Sequence, residues 1–294
     1  MSSNDTVFSP DLAGIVVGET AISDVQGDSG VLNYRGIDIN DMVGTPFLHA
    51  AWMVLFGEWP NAQEKSQLKA FMCRHASLTR DEIDLLEKLP KGLHPMLMLQ
   101  GMVPLLCLPE ESSLEIDLDA AQGFFLAAKI SGLIAAHHRL AQNKSILQPV
   151  PGKLFHENFL TMFHGSSPSE EQRRMLDAAQ ILQMEHSYNA GTFAGRVCAS
   201  TLAPIQSSVS ASIGTLYGRL HGGADQAALE MAMAIGSPEN AAAYVTECLA
   251  NKVKIMGMGH REYRTVDPRA KILKPMAVEL CRDEESKRLL ATLV

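Results

Sequence analysis

Three histidines stand in contexts where an imidazole could do chemistry. His221 follows an apolar helical pattern and precedes Gly222 and Gly223, so its ring could project at a helix boundary where backbone approaches closely. A neutral imidazole there could donate a hydrogen bond to a carbonyl that is becoming an enolate. A histidine held in a tight turn explains the same pattern equally well. The local sequence offers His221 as a candidate oxyanion donor without deciding between these interpretations.

His260 ends the run MGMGH, which begins at Met256 and contains Gly257 and Gly259. The two glycines permit close approach to a flat or bulky ligand. The arginines that follow offer contacts to carboxylates or phosphates, and they are Arg261, Arg264 and Arg269. A ring beside Arg269 could polarise a ketone whose carboxylate the guanidinium holds. The alternative is a turn before a basic helix start, and the run matches no known phosphate-loop pattern.

His186 lies in the stretch MEHSYN, inside a long apolar-periodic segment. Asn189 follows three residues later, and on a continuous helix the two side chains would share one face. Two polar groups together in a core could bind a substrate. A histidine satisfied by hydrogen bonds within the core is the interpretation that the local pattern favours.

The remaining histidines and the cysteines show no ligand spacing. Six histidines in amphipathic or loop contexts read as structural and receive no function: His49, His75, His137, His138, His156 and His164. The five cysteines are scattered and form neither CxxC nor a Cys/His pattern: Cys73, Cys107, Cys198, Cys248 and Cys281. We therefore expect no metal site, and free thiols in a reducing compartment.

The elements that must position these residues are mostly helical. After short β-branched runs before residue 40, apolar residues recur at helical spacing between Pro, Gly and capping residues. The predicted helical segments are 45–56, 61–74, 79–89, 94–106, 118–142, 169–203 and 207–217. The last is rich in Ser, Ala, Gly and Thr, which allows close helix approach and suits a central buried helix or a helix at a subunit interface. We expect an all-α protein with a large domain over 1–221 and a smaller one over 222–294.

Composition excludes several classes of function. The 294 residues carry a formal net charge of -8, so the basic footprint needed for nucleic acid is missing. The first residues include acidic side chains and no apolar run, which argues against a secretory signal or transit peptide. The longest apolar stretch, 123–136, is short and is interrupted by Lys129, which argues against a membrane span. A cytoplasmic protein is the expectation.

These stretches together resemble the citrate synthase family. GETAISDV, LNYRGIDI and LFGEWP are similar to its opening segments, and LHPMLML to its HPM helix. EHSYNAGTFAGRVCAST, GRLHGGADQA and KIMGMGHREYRTVDPRAKIL are similar, in order, to the family's ligand motifs. The resemblance runs from about Gly14 to the end of the chain.

The resemblance implies a role for each candidate. His221 would hydrogen-bond the thioester carbonyl of an acyl-CoA and stabilise its enol, and His260 would polarise the ketone of oxaloacetate. Arg269, His186 and Asn189 would contact the oxo acid. Met256, Gly257 and Gly259 would cradle the adenine end of coenzyme A, with Arg264 near a phosphate. The family is an all-helical homodimer of large and small domains that needs no metal and no permanently bound cofactor, because the coenzyme A thioester is a co-substrate.

The sequence also departs from the family pattern. The family's aspartate base and further arginines lie downstream of the GHRVY motif, and the chain ends at Val294 before them. This predicts that the chain is either a fragment of a longer protein or a natural protein that lacks catalytic turnover. Four substitutions put substrate identity in doubt: Asp225 for Asn, Arg219 for Pro, Glu185 for Asp and Glu262 for Val.

Three functional interpretations follow from this resemblance. The leading one is condensation of acetyl-CoA or propionyl-CoA with oxaloacetate to give citrate or a 2-alkylcitrate. The second is a noncatalytic binding or regulatory subunit, and the third is a lyase that runs the reverse cleavage with the same groups. The sequence does not decide between acyl chain lengths.

Overall fold

The computed structural model describes residues 15–260 and 262–294. Its N-terminal part is a small antiparallel sheet in the order β1-β2-β3, in which Ser23 pairs with Tyr34 and Asn33 with Asp38. The strands are β1 (Ser23–Gln26), β2 (Val31–Tyr34) and β3 (Ile37–Asp38). The short strands predicted before residue 40 are thus present.

Helices make up most of the rest of the described chain, as predicted. They are α1 (Ile39–Met42), α2 (Phe47–Phe56), α3 (Ala62–Ala76), α4 (Arg80–Glu87), α5 (Pro95–Met102), α6 (Leu118–Ala141), α7 (Phe155–His164), α8 (Glu170–Gln183), α9 (Ala190–Ala199), α10 (Ile205–Leu216), α11 (Gly223–Ile235), α12 (Pro238–Ala250), α13 (Pro268–Leu280) and α14 (Glu284–Leu293). A single 3-10 turn, Val103–Leu105, extends α5.

Several helix starts follow from capping residues that the sequence displays. The side chains of Asn61 and Thr79 accept hydrogen bonds from the first-turn N–H groups of α3 and α4. In turn, the carboxylates of Glu64 and Glu82 accept from the backbone N–H of Asn61 and of Thr79. Such capping boxes satisfy donors that the helix leaves unpaired, and each side-chain cap contributes about 1 kcal/mol. These local contacts explain why the predicted starts of both helices agree with the structure.

Helix α6 is the centre of the main core. It packs on α3, α5, α7 and α10, and its buried side chains include Phe124, Leu126 and Leu133. Its Lys129 is buried but forms an ion pair with Glu82 at 2.7 Å. By length and apolar composition alone this 24-residue helix could cross a bilayer. More than half of its most apolar stretch is buried inside the protein, which explains that apolar character.

A second buried cluster joins the sheet to the helices that carry the site. Leu32 and Tyr34 of β2 pack with Ile181 and Leu182 of α8, and the Tyr34 hydroxyl donates to the Leu182 carbonyl at 3.2 Å. Ile272 and Leu273 of α13 pack against the same cluster. The cluster therefore fixes α8 and α13 relative to one another.

The predicted continuous helical segment over 169–203 is wrong. Helix α8 ends at Gln183 and α9 begins at Ala190, with an irregular loop between them. Ser187 has a φ of 56°, in the left-handed region that a right-handed helix excludes, and the Asn189 side chain caps α9. His186 and Asn189 therefore do not share a helical face.

Helix α10 confirms the close helix approach that its small residues predict. The Ser212 hydroxyl donates to the Gly191 carbonyl of α9 at 2.9 Å, and the Ser210 hydroxyl donates to the Gln100 carbonyl of α5 at 2.8 Å. Helix α10 packs on α9, α5 and α6, and its residues from Ile205 to Thr215 are half-buried in the single chain. The central-buried-helix alternative stays a prediction. The subunit-interface alternative stays a prediction.

The helices after Gly222 pack largely among themselves. Contacts join α11, α12 and α14, whereas α13 packs on α8. Apolar side chains on these helices remain exposed, among them Met233, Leu249 and Val278. The division into domains 1–221 and 222–294 stays a prediction.

Candidate active site

Two loops bring three of the candidate residues together. The loop between α8 and α9 carries His186, and the loop between α12 and α13 carries His260 and leads into Arg269. The rings of His186 and His260 meet edge-on with centroids 5.5 Å apart. Tyr263 lies beside both rings, and its hydroxyl is 3.1 Å from His186 Nε2. We predicted that four residues, His186, His221, His260 and Arg269, would converge on one cleft. His186, His260 and Arg269 lie together in the structure, whereas His221 does not join them.

The His260 ring is held by backbone in one tautomer. Its Nδ1 accepts hydrogen bonds from the N–H groups of Glu262 and Tyr263 at 3.1 and 3.2 Å. Because an acceptor nitrogen in a neutral imidazole carries no proton, the proton lies on Nε2. Gly257 and Gly259 have φ values of 83° and 80°, and this left-handed backbone shapes the loop before the ring. His260 thus presents an Nε2–H donor.

His186 is neutral under ordinary conditions. Burial, followed by the positive charge of Arg269, lowers the pKa of His186 from 6.5 to about 4. Its loop is tied to β1, since Glu185 Oε1 accepts from the Ser23 hydroxyl at 2.9 Å and from the Ser187 N–H at 2.6 Å. Glu185, where the family motif has Asp, anchors the His186 loop to the sheet.

Arg269 is the second residue of α13, after Pro268, and Asp267 is the N-cap of the helix. Its guanidinium donates to both oxygens of Asp267, with Nη2 2.6 Å from Oδ2. Burial acts to raise the pKa of Asp267, but the hydrogen bonds and charge of Arg269 outweigh burial, and the pKa lies below its ordinary value. Asp267 therefore stays ionised and engages Nε and Nη2 of Arg269, whose guanidinium carries five N–H donors in all.

Tyr263 and Asp267 belong to the cluster, although the sequence reasoning selected neither. Only 5% of Tyr263 is exposed, its ring centroid is 4.9 Å from that of His260, and the Arg269 guanidinium carbon lies 5.8 Å from its centroid. Burial, followed by the negative charge of Asp267, raises the pKa of Tyr263 to about 12. The position of both residues inside the motif REYRTVDPR was the available signal.

His221 occupies a neighbouring position rather than the cluster itself. It lies in the turn between α10 and α11, where a Cβ placed on Gly191 would be 3.6 Å from its Cε1. Its Nδ1 is buried and has no hydrogen-bond partner in the structure. Within residues 15–260 and 262–294, no hydrogen bond or aromatic pair joins His221 to His186, His260 or Arg269. The structure places His221 beside the first turn of α9, whose cap is Asn189.

Asn189 has a structural task in this chain. Its Oδ1 accepts from the Thr192 N–H at 3.1 Å, and its Nδ2 donates to the Thr192 hydroxyl at 3.0 Å. Both polar atoms of the side chain are therefore engaged by the start of α9. One further donor and one further acceptor site remain on the amide, so its predicted contact with the oxo acid stays a prediction.

The predicted coenzyme A residues lie on two sides of the His260 loop. A Cβ on Gly257 would be 3.4 Å from the Cβ of Ala228 in α11, so the segment from Met256 to Gly259 runs beside that helix. Arg264 points elsewhere: its Nε is 3.4 Å from Asp28 in the turn between β1 and β2, and both side chains are largely exposed. Arg261 lies outside the described residues.

The described part of the chain offers no evident place for a metal ion. Within residues 15–260 and 262–294, no group of three His, Cys, Asp or Glu side chains is arranged as ligands. Histidines without an assigned function have ordinary structural partners, such as His156, whose Nδ1 is 2.7 Å from Asp177, and His137, whose Nε2 is 3.0 Å from the Leu93 carbonyl.

Comparison with known proteins gives consistent matches over nearly the whole chain. The family model described as "Citrate synthase, C-terminal domain" matches residues 11–294. A citrate synthase of Synechocystis sp. is 35% identical over 283 residues, which cover 95% of this chain and 71% of that protein. A 2-methylcitrate synthase of Shewanella oneidensis is 34% identical over 98% of this chain and 77% of its own length.

Solved structures agree with the sequence matches. The citrate synthase of Thermotoga maritima superposes with a TM-score of 0.86 at 32% identity, covering 98% of this chain and 77% of that one. The Thermoplasma acidophilum enzyme, solved as a ternary complex with carboxymethyl coenzyme A and oxaloacetate, gives a TM-score of 0.84 at 26% identity, over 95% of this chain and 74% of that one.

Proposed function

The chain belongs to the citrate synthase family, and from that membership we propose that it binds oxaloacetate and an acyl-CoA and takes part in joining them into citrate or a 2-alkylcitrate. The observation that carries the proposal is the cluster in which a neutral His260 donor, a neutral His186 and the Arg269 guanidinium lie close together. This set of groups suits a 2-oxo acid, because it offers a donor for the ketone and a cation for a carboxylate.

The proposed mechanism assigns His260 to the ketone of oxaloacetate. Attack on the ketone carbon builds negative charge on its oxygen, and a fixed Nε2–H donor stabilises that charge without reorganisation. The bonds to Nδ1 from Glu262 and Tyr263 keep the proton on Nε2. Arg269 would hold the adjacent carboxylate with a charge-assisted hydrogen bond.

His221 is proposed to act on the acyl-CoA. The α-carbon of a thioester is weakly acidic, so its deprotonation requires a donor for the developing enolate oxygen. His221 has a buried Nδ1 without a partner and lies next to Gly191, where the lack of a side chain leaves room at the ring. The carboxylate of the cluster, Asp267, makes a poor base because Arg269 stabilises its ionised form. We therefore assign the proton abstraction to none of the cluster residues.

Assembly and location are part of the same proposal. Val197 of α9, Leu216 of α10 and Leu202 in the loop between them leave apolar side chains in solvent, and we propose that this face joins a second copy of the chain. All five cysteines are unpaired, which suits a reducing compartment such as the cytoplasm. The net charge of -8 supports small-molecule ligands rather than nucleic acid.

Calorimetry and a thiol-release assay test the proposal together. Oxaloacetate binding is measured on the folded protein and on an Arg269→Gln variant, and coenzyme A release is followed with acetyl-CoA and with propionyl-CoA. Loss of a charged hydrogen bond should weaken oxaloacetate binding roughly tenfold or more. Arg264→Gln is the matched control, because that exposed arginine lies outside the cluster and should leave oxaloacetate affinity unchanged.

The outcomes separate the functional interpretations. Thiol release with either acyl-CoA supports condensation, and the faster substrate distinguishes citrate from 2-methylcitrate formation. Binding of oxaloacetate without thiol release supports the noncatalytic alternative. A folded protein that binds neither oxaloacetate nor acyl-CoA contradicts the proposed function.

A further inference from the structure

Tyr263 contacts all three residues of the cluster that we assign to the oxo acid. Its hydroxyl is 3.1 Å from His186 Nε2, its backbone N–H donates to His260 Nδ1 at 3.2 Å, and its ring lies 5.8 Å from the Arg269 guanidinium carbon. His186 and Tyr263 come from different loops, separated by 77 residues in sequence. A single buried side chain therefore connects the loop after α8 with the start of α13.

The hydroxyl of Tyr263 determines which nitrogen of His186 carries the proton. Among the hydrogen bonds of the described residues, the hydroxyl has His186 Nε2 as its partner, and a buried hydroxyl needs an acceptor for its proton. Donation to Nε2 leaves that nitrogen without a proton, so the proton of the neutral ring lies on Nδ1. The neighbouring His260 has the opposite tautomer, because backbone N–H groups occupy its Nδ1.

We propose that Tyr263 is the positioning residue of the oxo-acid site, holding His186 as the Nδ1–H tautomer while its backbone holds His260 as the Nε2–H tautomer. The inference rests on the proposed function for its binding consequence, but the tautomers themselves are a property of the ligand-free protein. The two adjacent rings then carry one donor each, Nδ1–H on His186 and Nε2–H on His260. Such an arrangement suits an oxo dicarboxylate, which carries acceptor oxygens on both sides of its ketone.

The test combines a spectroscopic and a binding measurement. In the full chain labelled with 15N-histidine, long-range 15N–1H correlation spectra report the tautomer of each ring at neutral pH. We expect His186 as Nδ1–H and His260 as Nε2–H in the unmodified protein. In Tyr263→Phe, His186 should lose the Nδ1–H preference while His260 keeps its tautomer, because phenylalanine retains the backbone N–H.

Oxaloacetate affinity is measured on the same proteins by calorimetry. Tyr263→Phe removes one neutral hydrogen bond, so the dissociation constant should rise roughly fivefold. Tyr188→Phe is the matched control: the Tyr188 hydroxyl also makes a hydrogen bond, to the Glu19 carbonyl at 2.8 Å, and an arginine, Arg196, also lies over its ring. This variant should change neither the His186 tautomer nor the affinity.

Each result decides one question. An Nε2–H tautomer of His186 in the unmodified protein overturns the proposal before any variant is made. An unchanged His186 spectrum in a folded Tyr263→Phe protein overturns it as well. If the tautomers behave as expected and the unmodified protein binds no oxaloacetate, the positioning role of Tyr263 stands and the proposed function fails.

Discussion

Protonation of His186 should make the protein less stable in mild acid. The folded-state pKa of His186 is about 4 and its ordinary value is 6.5. Between these two values the unfolded chain binds a proton that the folded ring does not, so the free energy of unfolding falls as pH falls. The contribution of His186 is complete above about pH 6.5 and is lost by about pH 4. Below that pH both states are protonated and no further change arises from this ring.

The size of the effect follows from the same shift. Without any solvent screening, a pKa difference of this size corresponds to a change of about 3 kcal/mol in the free energy of unfolding. His186 is only partly buried, and solvent screening reduces the expected contribution to about 1–2 kcal/mol. This is a measurable fraction of the stability of an ordinary domain.

Urea denaturation at several pH values between 4 and 7 would measure the effect on the unmodified protein and on His186→Gln. Carboxylates contribute to both proteins alike, so the informative quantity is the difference between their free energies of unfolding. The advantage of the unmodified protein should shrink by about 1–2 kcal/mol from pH 7 to pH 4. A constant difference, or an NMR titration that places the His186 pKa near 6.5, would refute the reasoning.

Three further predictions concern packing and assembly. Gly27→Ala should lower the free energy of unfolding by about 1–3 kcal/mol in denaturant titrations, because its new Cβ would collide with the Glu262 carbonyl. Gly123→Ala lies on an open face of α6, and this variant should raise the free energy of unfolding by about 0.5–1 kcal/mol. Leu202 is 94% exposed, so Leu202→Glu should shift sedimentation toward the monomer while changing single-chain stability by less than about 0.5 kcal/mol; an unchanged dimer would exclude this face as the interface. Lys129→Met should destabilise the protein by about 3 kcal/mol in thermal unfolding, because Glu82 loses its ion-pair partner. The double variant Lys129→Met, Glu82→Gln removes the unpaired charge as well, so it should recover much of that loss.

The sequence predicted those parts of the fold that local chemistry determines. Asn61 and Thr79 cap their helices through atoms a few residues away, and Gly57 ends α2 in the left-handed conformation. The break after Gln183 escaped prediction because the apolar spacing of α8 continues through the following residues. The helix cannot continue to Ala203 because Ser187 is left-handed, held by Glu185 and Ser23, and Ser23 belongs to a distant strand.

The candidate site shows the same limit. Motif resemblance brought His186, His221, His260 and Arg269 into one group, and the structure places all of them except His221 together. Tyr263 was missed because its function depends on a partner 77 residues away, which no local spacing reveals. Small residues in α10 predicted close contact with other helices, yet they carry no information about whether each partner lies in the same chain or in another copy.

The contact between the first hairpin and the His260 loop has a consequence for the order of folding. The Gly27 carbonyl accepts from the Arg264 N–H at 3.0 Å, and the two residues lie far apart along the chain. Closing so long a loop costs conformational entropy, whereas helices form through contacts between residues that are near in sequence. The turn that fixes His260 should therefore form late, after α2, α6 and α8 have assembled. Pulsed hydrogen exchange during refolding would show this as late protection of the Arg264 amide, and early protection there would contradict it.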